Sequence, residues 1–273
     1  MHVVYSEEMV APAQGYSPSA GKPRSVMEAW IERWPTLTRV PVTPVSLEDL
    51  YRAHDPQYVD GVMEQRISNG FGTRSREVVQ SLPYTCGALL TAARLAVQSG
   101  QPVAAPVSGF HHAGWGAGGG FCTFNGLMVA ALSLKADSPG IRVGILDYDY
   151  HYGNGTDDIL AKLRVQNVIH RTAGSRWTQS DQASEFLEHI ADDIENLAGC
   201  DVVLYQAGAD PHVDDPLGGF LTTAQLAERD VRVFDGLGTR NIPVAWDLAG
   251  GYQSPLSKVI DIHVNTFAAC FDR

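Results

Sequence analysis

Residues 141–156 constrain this chain more than any other stretch. They open with an apolar run, 141–146, of the kind that forms a buried strand. Asp147, Asp149 and His151 follow at alternate positions, and then a glycine turn, Gly153-Asn154-Gly155. Residues two apart in an extended chain point to the same face. Two carboxylates and an imidazole therefore leave a strand end on one side. Such oxygen and nitrogen donors suit zinc and related divalent ions. Taken alone, the run is equally well read as a strand end with a polar turn.

The rest of the chain alternates between strand and helix signals. Short apolar runs at 2–5, 101–107, 165–170, 201–205 and 242–246 read as strands. Between them lie helical patterns. Val26, Met27, Trp30 and Ile31 are spaced for a helix over 26–34 that stops before Pro35. Ser46 with Asp49, and Thr222 with Gln225, look like N-terminal capping pairs. Pro83 reads as the first turn of a helix ending at Ser99, with Gly100 after it. Residues 180–197 and 254–271 supply further helical segments. The alternation predicts an α/β single domain with a mostly parallel central sheet and helices on both faces. At 273 residues the chain is long enough for one such domain over 1–273, and no internal repeat or linker divides it.

Four polar clusters follow predicted strands: His111-His112, the stretch from Asp147 to Asn154, Asp210 with Asp214-Asp215, and Gly250-Gly251-Tyr252. In open α/β sheets, ligands bind beyond the carboxyl ends of the strands. The four clusters are thus expected to meet in one crevice.

Taken in order, these motifs resemble those of the histone deacetylase and acetylpolyamine amidohydrolase superfamily, in its bacterial, class II-like branch. The matching residues are Gly109-x-His111-His112-Ala113, Gly120-Phe121-Cys122-x-Phe124-Asn125, Asp147-x-Asp149-x-His151-x-Gly153-Asn154-Gly155-Thr156, Gly208-Ala209-Asp210 and Gly250-Gly251-Tyr252. The resemblance implies an arginase-like fold and zinc-dependent hydrolysis of an N-acetylated amine: acetyl-lysine, an acetylpolyamine or a related small N-acyl compound. Asp149, His151 and Asp210 then correspond to the ligands of one zinc ion. His112 corresponds to the general base and His111 to its electrostatic partner, with Asp147 behind His111 and Asn154 behind His112. Tyr252 corresponds to the phenol that donates to the developing oxyanion. Gly120 and Phe121 correspond to the substrate tunnel, with Phe121 as a wall. A potassium ion beside the zinc, on oxygens of residues 147–151, is a further implication.

The chain also departs from the pattern. Tyr152 stands where many relatives have a second histidine. Between His170 and Phe186 the aromatic loop that usually forms the second tunnel wall is missing, and Ser17-Pro18-Ser19 replaces an N-terminal His-Pro-Glu. These changes predict a more open or differently walled pocket. Two other functions stay in view: a non-catalytic member that binds acylated ligands, and a binuclear manganese ureohydrolase, which needs more carboxylates than this chain offers.

Composition narrows the partners. The formal net charge of −11 argues against a nucleic-acid phosphate backbone and suits cationic substrates. No apolar stretch predicts a membrane span, and no signal pattern opens the chain. Cys86, Cys122, Cys200 and Cys270 show no disulfide-like or CxxC spacing, which predicts a reducing, cytoplasmic setting.

Overall fold

A computed structural model describes residues 1–174 and 176–272. Ser175, inside the shortened 171–185 segment, and Arg273 lie outside the described residues.

The centre is a sheet of seven strands: β1 (His2–Val4), β2 (Thr38–Val40), β3 (Val103–Ser108), β4 (Val143–Asp147), β5 (Val168–Thr172), β6 (Val202–Gly208) and β7 (Val244–Ala249). Their order is β2-β1-β3-β7-β6-β4-β5, and each neighbouring pair runs parallel. The sheet is thus parallel throughout. Strands buried on both faces read as continuous apolar runs, and β4, β6 and β7 are buried at every position.

Two helical layers cover it. In one, α1 (Lys22–Arg33) packs on α9 (Ser257–Phe271), α9 on α8 (Thr223–Thr239), and α8 on α7 (Ala183–Asn196). In the other, α4 (Arg76–Ser99) packs on α5 (Gly126–Asp137), with α2 (Leu47–Ala53), α3 (Pro56–Met63) and α6 (Asn154–Leu163) around them. Trp30, Phe267 and Trp246 form the aromatic centre between α1, α9 and β7, with ring separations of 4.5–6.2 Å. Among the described residues, no helix is long and apolar enough to cross a membrane.

Both capping boxes form as the spacing predicts, at Ser46 with Asp49 and at Thr222 with Gln225. Pro83 does not sit in a first turn. The helix starts at Arg76, capped by the Ser75 side chain, and carries Pro83 in its interior. An interior proline costs roughly 3 kcal/mol. The turn before it buries Val78, Val79 and Leu82 against the core, which offsets that cost. Helix α1 likewise begins four residues before the apolar spacing suggests, with Pro23 in its first turn.

The topology gathers the site. β3, β7, β6 and β4 are consecutive in the sheet. The loops leaving their carboxyl ends carry His111-His112, residues 250–252, Asp210 and residues 149–153, with Asn154 opening α6. Four segments distant in the chain become neighbours along one sheet edge.

Candidate metal centre

Register sets the inner geometry. Asp147 ends β4 and pairs with Gln206 of β6, which pairs in turn with Asp247 of β7. Beyond these ends, Asp149, His151 and Asp210 converge. One ligand atom from each lies within 4.8 Å of the others. His151 Nδ1 is 3.1 Å from Asp149 Oδ1 and 3.0 Å from Asp210 Oδ2. Asp149 is 4% exposed and Asp210 is fully buried. Two buried carboxylates this close need a compensating cation.

The electrostatics show the same demand. Burial, and then the neighbouring Asp149 charge, push the Asp210 carboxyl up to about 7. Burial raises Asp149 too, but the histidine charges at 111 and 151 outweigh it and hold that carboxyl well below its usual range. Hydrogen bonds to Asp149 and Asp210 lift His151 to about 11. Positive charge is thus favoured where the three donors meet.

The histidine pair lies alongside. His111 Nδ1 donates to Asp147 Oδ2 at 2.7 Å, and His112 Nδ1 donates to Asn154 Oδ1 at 2.6 Å. Burial works against charge on His111, but Asp147 and Asp149 more than compensate and raise it to about 9. Burial and the adjacent His111 charge lower His112. A neutral imidazole whose Nδ1–H is committed to Asn154 has Nε2 free to accept a proton.

Tyr252 lines the same cavity, half-buried, with its backbone N–H donating to Asp215 Oδ2 at 2.7 Å. Asp215 also accepts from the backbone N–H of Leu217 at 3.0 Å, so this carboxylate braces the loop. Burial first, and then the charges of Asp210 and Asp149, raise the Tyr252 phenol far above its usual value and keep it a proton donor. Two glycines make these placements possible. Gly250 has a φ of 54°, and a Cβ there would lie 2.4 Å from Asp210 Cγ. Gly120 has a φ of 52°, and a Cβ there would lie 2.3 Å from His112 Cδ2. The residues at 111, 112, 120, 121, 149, 151 and 252 all line one cavity.

Sequence reasoning missed the residue that binds the parts together. Gln206 Nε2 donates to Asp147 Oδ1 at 2.8 Å, and Gln206 Oε1 accepts from the Phe110 backbone N–H at 2.8 Å. One buried amide thus links the β4 end to the His111 loop. Its only signal was a polar residue inside an apolar strand. His170 was missed too: its Nδ1 is 2.8 Å from Asp157 Oδ1, and its Nε2 is 3.8 Å from Asp147 Oδ2.

Trp177, the aromatic residue of the shortened 171–185 segment, is 3% exposed and packs on Phe186 and His189. It faces the core and lines no part of the cavity.

Known proteins resemble this chain in fold and in sequence. The overall fold is similar to the crystal structure of the HDA15 HD domain, with a TM-score of 0.80 over 100% of this chain and 91% of that one, at 19% identity. Acetylpolyamine amidohydrolase 2 of Pseudomonas aeruginosa is 51% identical over 175 residues, covering 52% of this chain and 48% of the relative. Acetylpolyamine amidohydrolase of Mycoplana ramosa is 27% identical over 173 residues, covering 53% and 50%. The chain spans about half the length of these two amidohydrolases. A Picosynechococcus protein of uncharacterised function is 27% identical over 232 residues, covering 77% of each chain. A model of the histone deacetylase domain matches residues 19–172, which include the histidine pair and the Asp147–His151 run. The chain belongs to the histone deacetylase domain family.

Proposed function

We propose that the protein is a zinc-dependent deacetylase that hydrolyses the amide of an N-acetylated amine. One observation carries this reading: the ligand atoms of Asp149, His151 and Asp210 cluster within 4.8 Å, and Asp149 and His151 line a cavity whose walls also hold His112 and Tyr252. The donor set fits zinc, because two carboxylates and one imidazole are a usual ligand chemistry and three protein ligands leave a position open. Zinc held there would polarise the acetyl carbonyl and acidify a water molecule.

The chain's own groups do the rest. His112 Nε2 takes a proton from the attacking water, since its Nδ1 is held by Asn154. As the C–N bond breaks, the same nitrogen returns that proton to the leaving amine. His111, paired with Asp147, stays charged beside it and favours the neutral form of His112 before reaction. The Tyr252 phenol donates to the oxygen that gains negative charge. Phe121 and Gly120 flank the acyl-bearing chain. The Asp147 carboxylate accepts from His111, from Gln206 and from the backbone N–H of Asp149, which holds it in place behind the histidine pair. The acetylpolyamine amidohydrolase names of the relatives support a small acylated amine as substrate.

Acetate release by zinc-loaded protein from an acetyl-lysine peptide and from an N-acetylated polyamine tests the reading. Tyr252→Phe is expected to lower kcat by about 10²–10³, and chelation is expected to abolish release. One bound zinc with no release from either substrate would leave a non-catalytic acyl-ligand-binding protein. Two bound manganese ions would instead favour the ureohydrolase alternative.

A further inference from the structure

The missing second wall raises the question of what contacts a substrate beyond Phe121. Three rings surround the Phe121 ring. Tyr252 lies 5.5 Å from it on the metal side, Phe71 lies 5.8 Å away, and Tyr16 meets it edge-on at 5.5 Å. Tyr16 is 70% exposed and Phe71 is half-buried, so the aromatic surface around Phe121 reaches solvent through Tyr16.

This arrangement is built. Phe121 adopts a φ of 66°, a left-handed conformation that a non-glycine residue rarely takes and that must be held by its surroundings. The holding contacts come from the loop that carries Phe71. The Phe121 backbone N–H donates to the Gly70 carbonyl at 3.1 Å, and the Gly70 N–H donates to Thr123 Oγ1 at 2.9 Å. A Cβ on Gly70 would lie 2.2 Å from the Cys122 carbonyl oxygen, so the two backbones are in direct contact. Thr73 Oγ1 then donates to Gln14 Oε1 at 3.1 Å, which ties in the loop that carries Tyr16. On the other side, Trp177 is turned into the core.

We infer that Phe71 and Tyr16 are specificity-determining residues for the arm of the leaving amine. The arm lies along one continuous aromatic face, Tyr252–Phe121–Phe71/Tyr16, instead of passing between two opposed rings. This inference rests on the amidohydrolase reading above. An extended, unbranched aliphatic arm gains contact from each ring. A short amine ends at Phe121 and gains nothing from the outer two.

The test is the ratio of kcat/KM for N-pentylacetamide over N-methylacetamide, in wild type, Tyr16→Ala and Phe71→Leu. Tyr16 is exposed, and Phe71→Leu keeps an apolar group in place, so both variants are expected to fold. Each is expected to lower the ratio roughly three- to tenfold, the range for losing one aromatic contact. The loss should fall mainly on KM, because neither ring reaches the reacting atoms. A parallel calorimetric measurement of N-pentylacetamide binding, in a zinc-loaded Tyr252→Phe background, should show the same weakening in Kd. An unchanged ratio and an unchanged Kd would overturn the assignment while leaving the amidohydrolase reading intact. Absence of turnover in wild type would defeat that reading, and the Kd series would then decide the aromatic face by itself. No detectable binding in that series would overturn it.

Discussion

The metal centre and the rim of the pocket are built in opposite ways. Each chemical group of the centre sits at, or just beyond, the end of a buried parallel strand. Asp147, Asp210 and Gln206 are fully buried, and each is held by backbone register or by direct hydrogen bonds. The rim is made of loops, 11–21 and 69–73. Its aromatic residues are placed by a few loop hydrogen bonds and by the direction each loop takes. Strand ends fix donor atoms to within tenths of an ångström, as metal binding and proton transfer require. Loops tolerate change, and substrate preference can alter there without disturbing the chemistry.

That contrast can be broken at either end. The largest effect is expected at the centre. His151→Ala removes the one nitrogen donor and leaves two buried carboxylates without it. Zinc stoichiometry by atomic absorption should fall to near zero, and acetate release should drop by roughly a thousandfold or more. Retained zinc with retained activity would show that the ligand set has been misassigned.

Trp177→Ala tests the other side. If this ring belongs to the core, its removal costs about 3–5 kcal/mol of stability by urea denaturation, as large-to-small core changes do. The ratio of long-arm to short-arm substrate should stay near wild type in the folded variant. A changed ratio with unchanged stability would place Trp177 at the rim.

A smaller effect concerns pH. In metal-free protein the folded-state value for Asp210 is raised to about 7, above the ordinary carboxylate range. Between about pH 4 and 7 the folded state therefore binds more protons than the unfolded state, and stability falls as pH rises. His151, raised to about 11, extends the fall: its stabilisation is complete below its ordinary value and is lost as pH rises toward 11. Zinc replaces those protons, so thermal melts of loaded protein should lose most of this slope. Equal slopes with and without zinc would separate these groups from the metal.

Much of the centre was legible because its chemistry is written in local spacing. Alternate acidic and histidine positions after an apolar run state which face they share, and the clusters after β3, β6 and β7 point to the same edge. Gln206 was not legible. Its importance comes from lying beside Asp147 across a strand pair and below the Phe110 loop, and no local pattern records either neighbour. Pro83 misled for a related reason. Its usual place is a helix start, and only the burial of Val78, Val79 and Leu82 makes an interior position tolerable here.

The sequence by itself determined a mostly parallel α/β architecture and a grouping of Asp147, Asp149 and His151 at one strand end. Both follow from periodicity, which acts over a few positions. The donor set with Asp210 and the partners of the two histidines came from the family resemblance. Only the tertiary structure decided that β3, β7, β6 and β4 lie side by side, that Gln206 joins two of their loops, and that Trp177 turns inward while Phe71 and Tyr16 flank Phe121. The physical reason is range. Side-chain direction within a strand is set by backbone geometry, whereas the meeting of distant loops depends on packing and hydrogen bonds between segments that the chain order keeps far apart.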